Sequence, residues 1–367
     1  GGDTIPTYIK DLVAGRPVYG HPSRRGGLRY RYGRGRTSGF SAASVHPATM
    51  AITDGFISNG TQLKIEKPTK GCAVTSCDTI EGPIVKMKDG SVKKPETTEE
   101  ARKLYSDVDE IIYLGDLLFP FSDLANRNAD LIKPGYVEEW WNLELKEVIE
   151  EREKKGENIP EDIKNLDPFN VSLERATEIS RKYGLPLHPK YIFFWNQIEA
   201  EEDLGVESFL NFIGWVKNSK VEGKLILPFN KEQSEKYAKA KKVMEILGVK
   251  HTSAPENVVL DEETSKALLV NLGVDPGIVE SGEKVELEEH INEKDFDKED
   301  KKILDIVSEA SEFIIKDKTG EFIGARMGRP EKAKLRKLQG SPNLLFPVGK
   351  EGGKMRSLQS ACEKGQV

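Results

Sequence analysis

The chain has 367 residues, 37% of them hydrophobic and 32% charged, with a formal net charge of −6. That length allows roughly two or three domains, each with its own core. No apolar run approaches the ~18 residues that cross a bilayer, which speaks against a helical membrane protein. The three cysteines, Cys72, Cys77 and Cys362, are too few for a disulfide framework and fit a reducing, cytoplasmic setting.

The opening "GGDTIPTYIKDL" has neither an initiating Met nor a signal-peptide pattern, and reads as the start of a piece of a longer chain or of one with a trimmed tag. Next comes "HPSRRGGLRYRYGRGRTSGF", dense in Gly, Arg and Tyr. Short β-like runs follow in "TQLKIEK", "CAVTSC" and "GPIVKMKDGSVKK", the last with a two-residue hairpin signal at Asp89-Gly90. From Pro95 the pattern turns helical: "PETTEEARKLYSDVDEI" opens with Pro and acids, and further helices are expected over 137–154, 173–183, 232–247 and 261–272. "GKLILPF" reads as an isolated strand among them. The acidic "SGEKVELEEHINEKDFDKED" reads as a solvated connector into a helix near 299–310. "EFIIKDKTGEFIGARM" predicts a hairpin turning at Asp317–Gly320, and "NLLFPVG" one more strand.

The expected fold class is therefore α+β. Residues 1–95 form a basic arm and the first strands of a β domain, 96–310 an acidic, mainly helical insertion, and 311–367 the return strands of the same domain. Charge supports this partition. Residues 1–70 hold eleven Lys/Arg against four Asp/Glu, and residues 326–358 hold nine against two. The last nine residues are neutral and the chain total is −6, so residues 71–325 carry −20. Two basic arms flanking an acidic body are a footprint for polyanion contact, most often nucleic acid.

Within "LRYRY", strand alternation puts Arg29 and Arg31 on one face and Tyr30 and Tyr32 on the other. Seven Arg and no acid occupy residues 16–36. Arg24, Arg25, Arg29, Arg31, Arg34 and Arg36 are candidates for the nucleic-acid backbone, since a guanidinium offers a bidentate fork for phosphate. In "RMGRPEKAKLRK", Pro330 is placed to begin a helix, with Lys334 and Lys337 sharing a face and Arg326, Arg329 and Lys332 nearby. A helix N-terminus adds partial positive charge for an anion. No two-metal carboxylate site emerges. Asp107 and Asp109, and Asp295 and Asp297, lie in solvated acidic runs, while Asp116 and Asp123 lack a third ligand. Cys72, Cys77 and Cys362 lack zinc-ligand spacing, and His188 reads as structural.

As an ordered set, "SRRGGLRYRYGRGRTSGFSAASVHPATM", "GTQLKIEKPTKG", "TIEGPIVKMKDGSV", "YLGDLLFPFSDL", "EEWW", "PLHPKYIFFW" and "ARMGRPEKAKLRK…LLFPVG" resemble the large subunit of archaeal family-D DNA polymerase. The resemblance runs from about residue 19 to 349. It implies a replicative, DNA-directed DNA polymerase with a double-psi β-barrel core. It also implies Mg²⁺ as cofactor, and as partners primer-template DNA, dNTP, a sliding clamp and a small subunit with 3′→5′ exonuclease activity. The metal-binding aspartates of that family lie downstream of the "RMGRPEKAK" block, outside this chain. Basic residues supplied by the first barrel map onto Lys334 and Lys337 as catalytic candidates. A non-catalytic DNA- or RNA-binding scaffold is the rival reading.

Overall fold

A computed structural model describes residues 11–13, 16–33, 42–66, 71–119 and 132–328. The chain begins with strands β1 (Asp11–Val13), β2 (Arg16–Gly20), β3 (Leu28–Tyr32), β4 (Ala42–Val45), β5 (Gln62–Ile65) and β6 (Gly71–Ser76). Strands β7 (Ile84–Met87), β8 (Val92–Lys93) and β9 (Val108–Tyr113) form a small sheet of their own, in the order β8-β7-β9. Strand β10 (Asp116–Phe119) then returns to the first group. The helical body that follows carries β11 (Lys220–Glu222), β12 (Leu225–Pro228), β13 (Thr252–Ser253), β14 (Asn257–Val259) and β15 (Lys284–Glu286), paired as β13-β14-β12-β11-β15. Strands β16 (Phe322–Ile323) and β17 (Ala325–Met327) come last.

Both ends of the described chain meet in one nine-stranded mixed sheet, ordered β1-β2-β17-β5-β6-β4-β10-β3-β16. Its β3/β10 and β4/β6 pairs are parallel and the others antiparallel. The architecture is α+β. Strand β10 lies inside the span 96–310 assigned to the insertion, yet it sits between β4 and β3 because "DLLF" is apolar enough to be buried along its whole length.

Helices at Glu138–Lys154, Leu173–Tyr183 and Glu262–Asn271 stand where the sequence predicts them. Elsewhere the structure departs from expectation, each time for a packing reason. The helix expected from Pro95 ends at Leu104, and Val108–Tyr113 is a strand because its β-branched side chains pair antiparallel with β7. The Asp89-Gly90 turn is a three-residue loop closed by Met87 N–H to Ser91 O, with Gly90 at φ +89°. "GKLILPF" is not isolated, since β12 pairs with β11 and β14. The acidic connector contains β15 and two short 3₁₀ turns.

The hairpin expected over 312–327 does not form. Phe313 and Ile315 are buried in the core of the helical body, whereas Phe322–Ile323 and Ala325–Met327 pair with β3, β2 and β5. Its two halves thus belong to different bodies. The strand expected at "NLLFPVG" lies outside the described residues.

Two large cores result. One, under the nine-stranded sheet, contains Leu28, Tyr30, Tyr32, Val45, Val74, Leu117 and Phe119. The other fills the helical body around Trp141, Trp195, Trp215, Phe209 and Phe212. Between them Tyr113 stacks on Phe194 and Phe322 at centroid distances of 4.2 and 5.7 Å, and its hydroxyl donates to Ile246 O.

Candidate nucleic-acid interface

Strand β3 carries the Arg/Tyr alternation, and the structure keeps its geometry while reassigning its meaning. Tyr30 and Tyr32 point into the sheet core, where Tyr30 stacks on Phe119 at 5.2 Å. The opposite face does not meet solvent. Arg29 and Arg31 are 2% and 0% exposed, and both guanidinium groups are held by carboxylates. Arg29 grips the Asp116 carboxylate with Nε and Nη2 and donates from Nη1 to Lys318 O at 2.8 Å. Arg31 reaches Asp116 at 3.0 Å, Glu138 at 2.6 Å and Glu139 at 2.7 Å. Expected on a nucleic-acid backbone, both are instead found buried in this network. A charge buried at this depth needs carboxylate partners, and the structure supplies them from β10 and the helix Glu138–Lys154.

Nearby, Glu81 holds Lys94 and Lys318, and Lys318 Nζ donates to the carbonyls of Pro189 and Ile192 at 3.1 Å each. Burial alone would raise the Asp116 and Glu81 carboxyls, but the surrounding cations outweigh it and both are held below the usual carboxylate range. Burial, reinforced by Lys94 and Arg29 against the pull of Glu81, lowers Lys318 to about 8. This network joins β3 and β10 to the first turn of the helix Glu138–Lys154 and to the chain returning from the insertion. It ties the two bodies together.

The cations that do face outward lie on β2, β17 and β5. In antiparallel pairs, residues directly opposite each other point to the same side. Arg326 sits opposite Val18 of β2 and Lys64 of β5, and Arg16 is two residues before Val18. Alternate residues Tyr19, Leu63 and Ala325 are buried on the core side. Arg16, Lys64 and Arg326 therefore share the outer face, and among the described residues none of them has a salt bridge. A cavity of about 280 Å³ opens beside them, lined in part by Val18, His21, Lys64, Gly324 and Arg326. Its glycine wall is tight, as a Cβ on Gly324 would come within 2.7 Å of the Pro22 nitrogen. Glu66 pins the turn after β2 by accepting from Ser23 N, Ser23 Oγ and Gly324 N.

Of the other expected residues, Arg24 is exposed on that turn and Arg25 is tied to Glu201. Arg34, Arg36, Arg329, Lys332, Lys334 and Lys337 lie outside the described residues, as do Asp123 and Cys362. Arg16 and Lys64 were not singled out in the sequence, although "QLKI" alternates Lys64 between two apolar residues that mark it as outward-facing. Cys72 is buried with its Sγ directed at Leu63 O, Cys77 Sγ meets Thr79 Oγ1 at 3.2 Å, and His188 bonds Pro168 O through Nε2 while its Nδ1 accepts from Lys190 N–H.

Among the described residues no group of three or more His, Cys, Asp or Glu is placed to hold a metal ion. The carboxylates that do converge, those of Asp116, Glu138 and Glu139, close on the Arg31 guanidinium and so do not fit Mg²⁺. No helix among the described residues is long and apolar enough to cross a membrane.

A family profile described as "DNA polymerase II large subunit DP2, central domain" matches residues 4–367. The chain belongs to that family. The DNA polymerase II large subunit of Pyrococcus abyssi is 38% identical over 386 residues, an alignment covering 98% of this chain and 25% of that protein. The subunit of Nanoarchaeum equitans is 37% identical, covering 98% and 29%, and that of Archaeoglobus fulgidus 38%, covering 96% and 28%. The DP2 central domain seen here thus spans between a quarter and a third of these curated relatives.

Proposed function

We propose that this chain is the part of a replicative DNA-directed DNA polymerase's catalytic subunit that holds primer-template DNA and the incoming dNTP. The observation that carries the reading is the shared outer face of β2, β17 and β5, where cations from both basic arms stand without carboxylate partners among the described residues. From Arg326 the chain runs directly into Arg329, Lys332, Lys334 and Lys337. In this reading Arg326 and Arg329 hold backbone phosphates. Lys334 and Lys337 offset the triphosphate's negative charge as it grows in the transition state, the setting in which a preorganised cation accelerates transfer. Arg24, Arg34, Arg36 and Lys332 extend the phosphate track, whereas Arg29 and Arg31 serve as scaffold.

The reading of the nine-stranded sheet as a double-psi β-barrel rests on the family resemblance, and the interleaved parallel pairs β3/β10 and β4/β6 are in keeping with it. Mg²⁺ belongs to the reading as the reaction's cofactor, with ligands outside this chain, and the small proofreading subunit and a sliding clamp complete the assembly. The test is single-turnover primer extension by the full-length subunit with its partner. Lys334→Ala with Lys337→Ala should lower the rate of incorporation far more than DNA affinity, since an interaction strengthened in the transition state appears in kcat. Wild-type extension by that double variant refutes the catalytic assignment.

A further inference from the structure

A groove of about 440 Å³ lies between the end of β8, the helix Thr98–Leu104 and the insertion's edge strand β13. Both bodies build it, because Val92 and His251 exchange backbone hydrogen bonds of 3.0 Å across the junction. Its apolar lining includes the half-buried Leu104 and Val259. Lys93, Lys94, Lys103 and Lys250 stand around it, in a stretch of chain, residues 71–325, that carries −20 overall. The two acids present are already engaged. Asp261 caps the next helix by accepting from Thr264 N at 2.7 Å and holds Lys250 at 3.3 Å, and Glu100 accepts from Glu96 N at 2.9 Å.

Lys94 is tied to Glu81, and Lys103 pairs only with exposed Glu99 on its own helix among the described residues. Lys93 donates to the neutral Thr252 hydroxyl, at 3.1 Å, and among the described residues it has no carboxylate partner. His251, in the same wall, is 3% exposed. Its Nδ1 bonds Val249 O at 2.7 Å, and its buried Nε2 has no partner among the described residues. Burial, with Lys241 adding to it, brings the ring down to about 3, so it stays a neutral acceptor.

We propose that this groove is a nucleotide subsite separate from the outer face of β2, β17 and β5. Phosphates sit on Lys93, Lys103 and Lys250, and the base lies against Leu104 and Val259. An apolar lining with a cationic rim matches a ligand that is flat and apolar at one end and polyanionic at the other. The nucleotide is either free in solution or one unit of a DNA strand.

Calorimetric titration of the full chain with dATP in metal-free buffer, and separately with a short single-stranded oligonucleotide, tests this. Lys93→Ala with Lys250→Ala should weaken dATP about tenfold or more with an unchanged melting temperature. Run in the Lys334→Ala, Lys337→Ala background, which lacks the incoming-dNTP contacts proposed above, the same titration should still show dATP binding and its loss with Lys93 and Lys250, which separates this groove from the polymerase's nucleotide site. If dATP does not bind but the oligonucleotide loses affinity about tenfold in the Lys93/Lys250 variant, the occupant is a unit of a strand. Inorganic triphosphate binding as tightly as dATP overturns the nucleotide assignment in favour of a plain anion site. Unchanged affinity for both probes in the Lys93/Lys250 variant overturns the site itself.

Discussion

Two sets of cations, both set on strands of one sheet, meet opposite fates. Arg29 and Arg31 of β3 are sealed against Asp116, Glu138 and Glu139, while Arg16, Lys64 and Arg326 of β2, β5 and β17 face outward without partners among the described residues. Local density of positive charge does not separate them. What separates them is what the rest of the chain brings to each face. The helix Glu138–Lys154 and the return through Lys318 cover one side of β3, whereas no described carboxylate pairs with the outer face of β2, β17 and β5. A buried guanidinium acts as a rivet and an unpaired surface one is free for an anion.

The largest effect belongs to the rivet. Asp116→Ala leaves two guanidinium groups buried with part of their charge uncompensated, which costs about 3–5 kcal/mol. Urea unfolding of the full chain should show it as a fall in midpoint at unchanged slope. A loss under about 0.5 kcal/mol would mean that the network does not hold the bodies together.

Acid probes the same network. Asp116 and Glu81 are held below their ordinary values, so the stability they add is fully present above about pH 4 and is lost as pH falls through their folded values. Asp116→Asn should therefore flatten the acid limb of stability against pH while lowering the plateau.

Lys318 works in the other direction. Its value of about 8 lies below the ~10.4 of an unfolded lysine. Between the two, the unfolded chain holds the extra proton, and this group makes stability rise with pH. Lys318→Met should remove that rise, measured as melting temperature between pH 8 and 10. An identical profile in the variant would show that Lys318 titrates as an ordinary surface lysine.

The smallest effect on stability belongs to the outer face. Arg16→Ala, Lys64→Ala and Arg326→Ala together should shift unfolding by no more than about 0.5 kcal/mol per site, because no described carboxylate is left unpaired.

Much of this is legible in the sequence, and the failures share a cause. The helices Glu138–Lys154 and Leu173–Tyr183 announce themselves by acids in the first turn and, in the second, by a Ser172 cap and Gly184 at φ +69°. The alternation in "LRYRY" is also readable as two faces, and the structure turns the tyrosine face inward. The destination of the arginines is not, because their carboxylate partners lie 85 to 108 residues away and nothing local to β3 names them. Glu138 and Glu139 offer a faint signal, as two acids directly before a pair of tryptophans in "EEWW" place carboxylates at the edge of a core. The misread hairpin over 312–327 has the same origin. Two apolar runs around a turn look like paired strands until each finds a different core. Lys64 is readable from its alternation with Leu63 and Ile65, but Arg16 takes its place only once β17 pairs with β2.

Whether DNA phosphates land on the outer face of β2, β17 and β5 can be read from the salt dependence of DNA affinity. The logarithm of the binding constant, followed against the logarithm of salt concentration, should fall less steeply in the Arg16→Ala, Lys64→Ala, Arg326→Ala variant, by roughly one unit of slope for each phosphate no longer neutralised. An unchanged slope, in a variant that folds and melts as the wild type does, would show that the phosphates lie elsewhere.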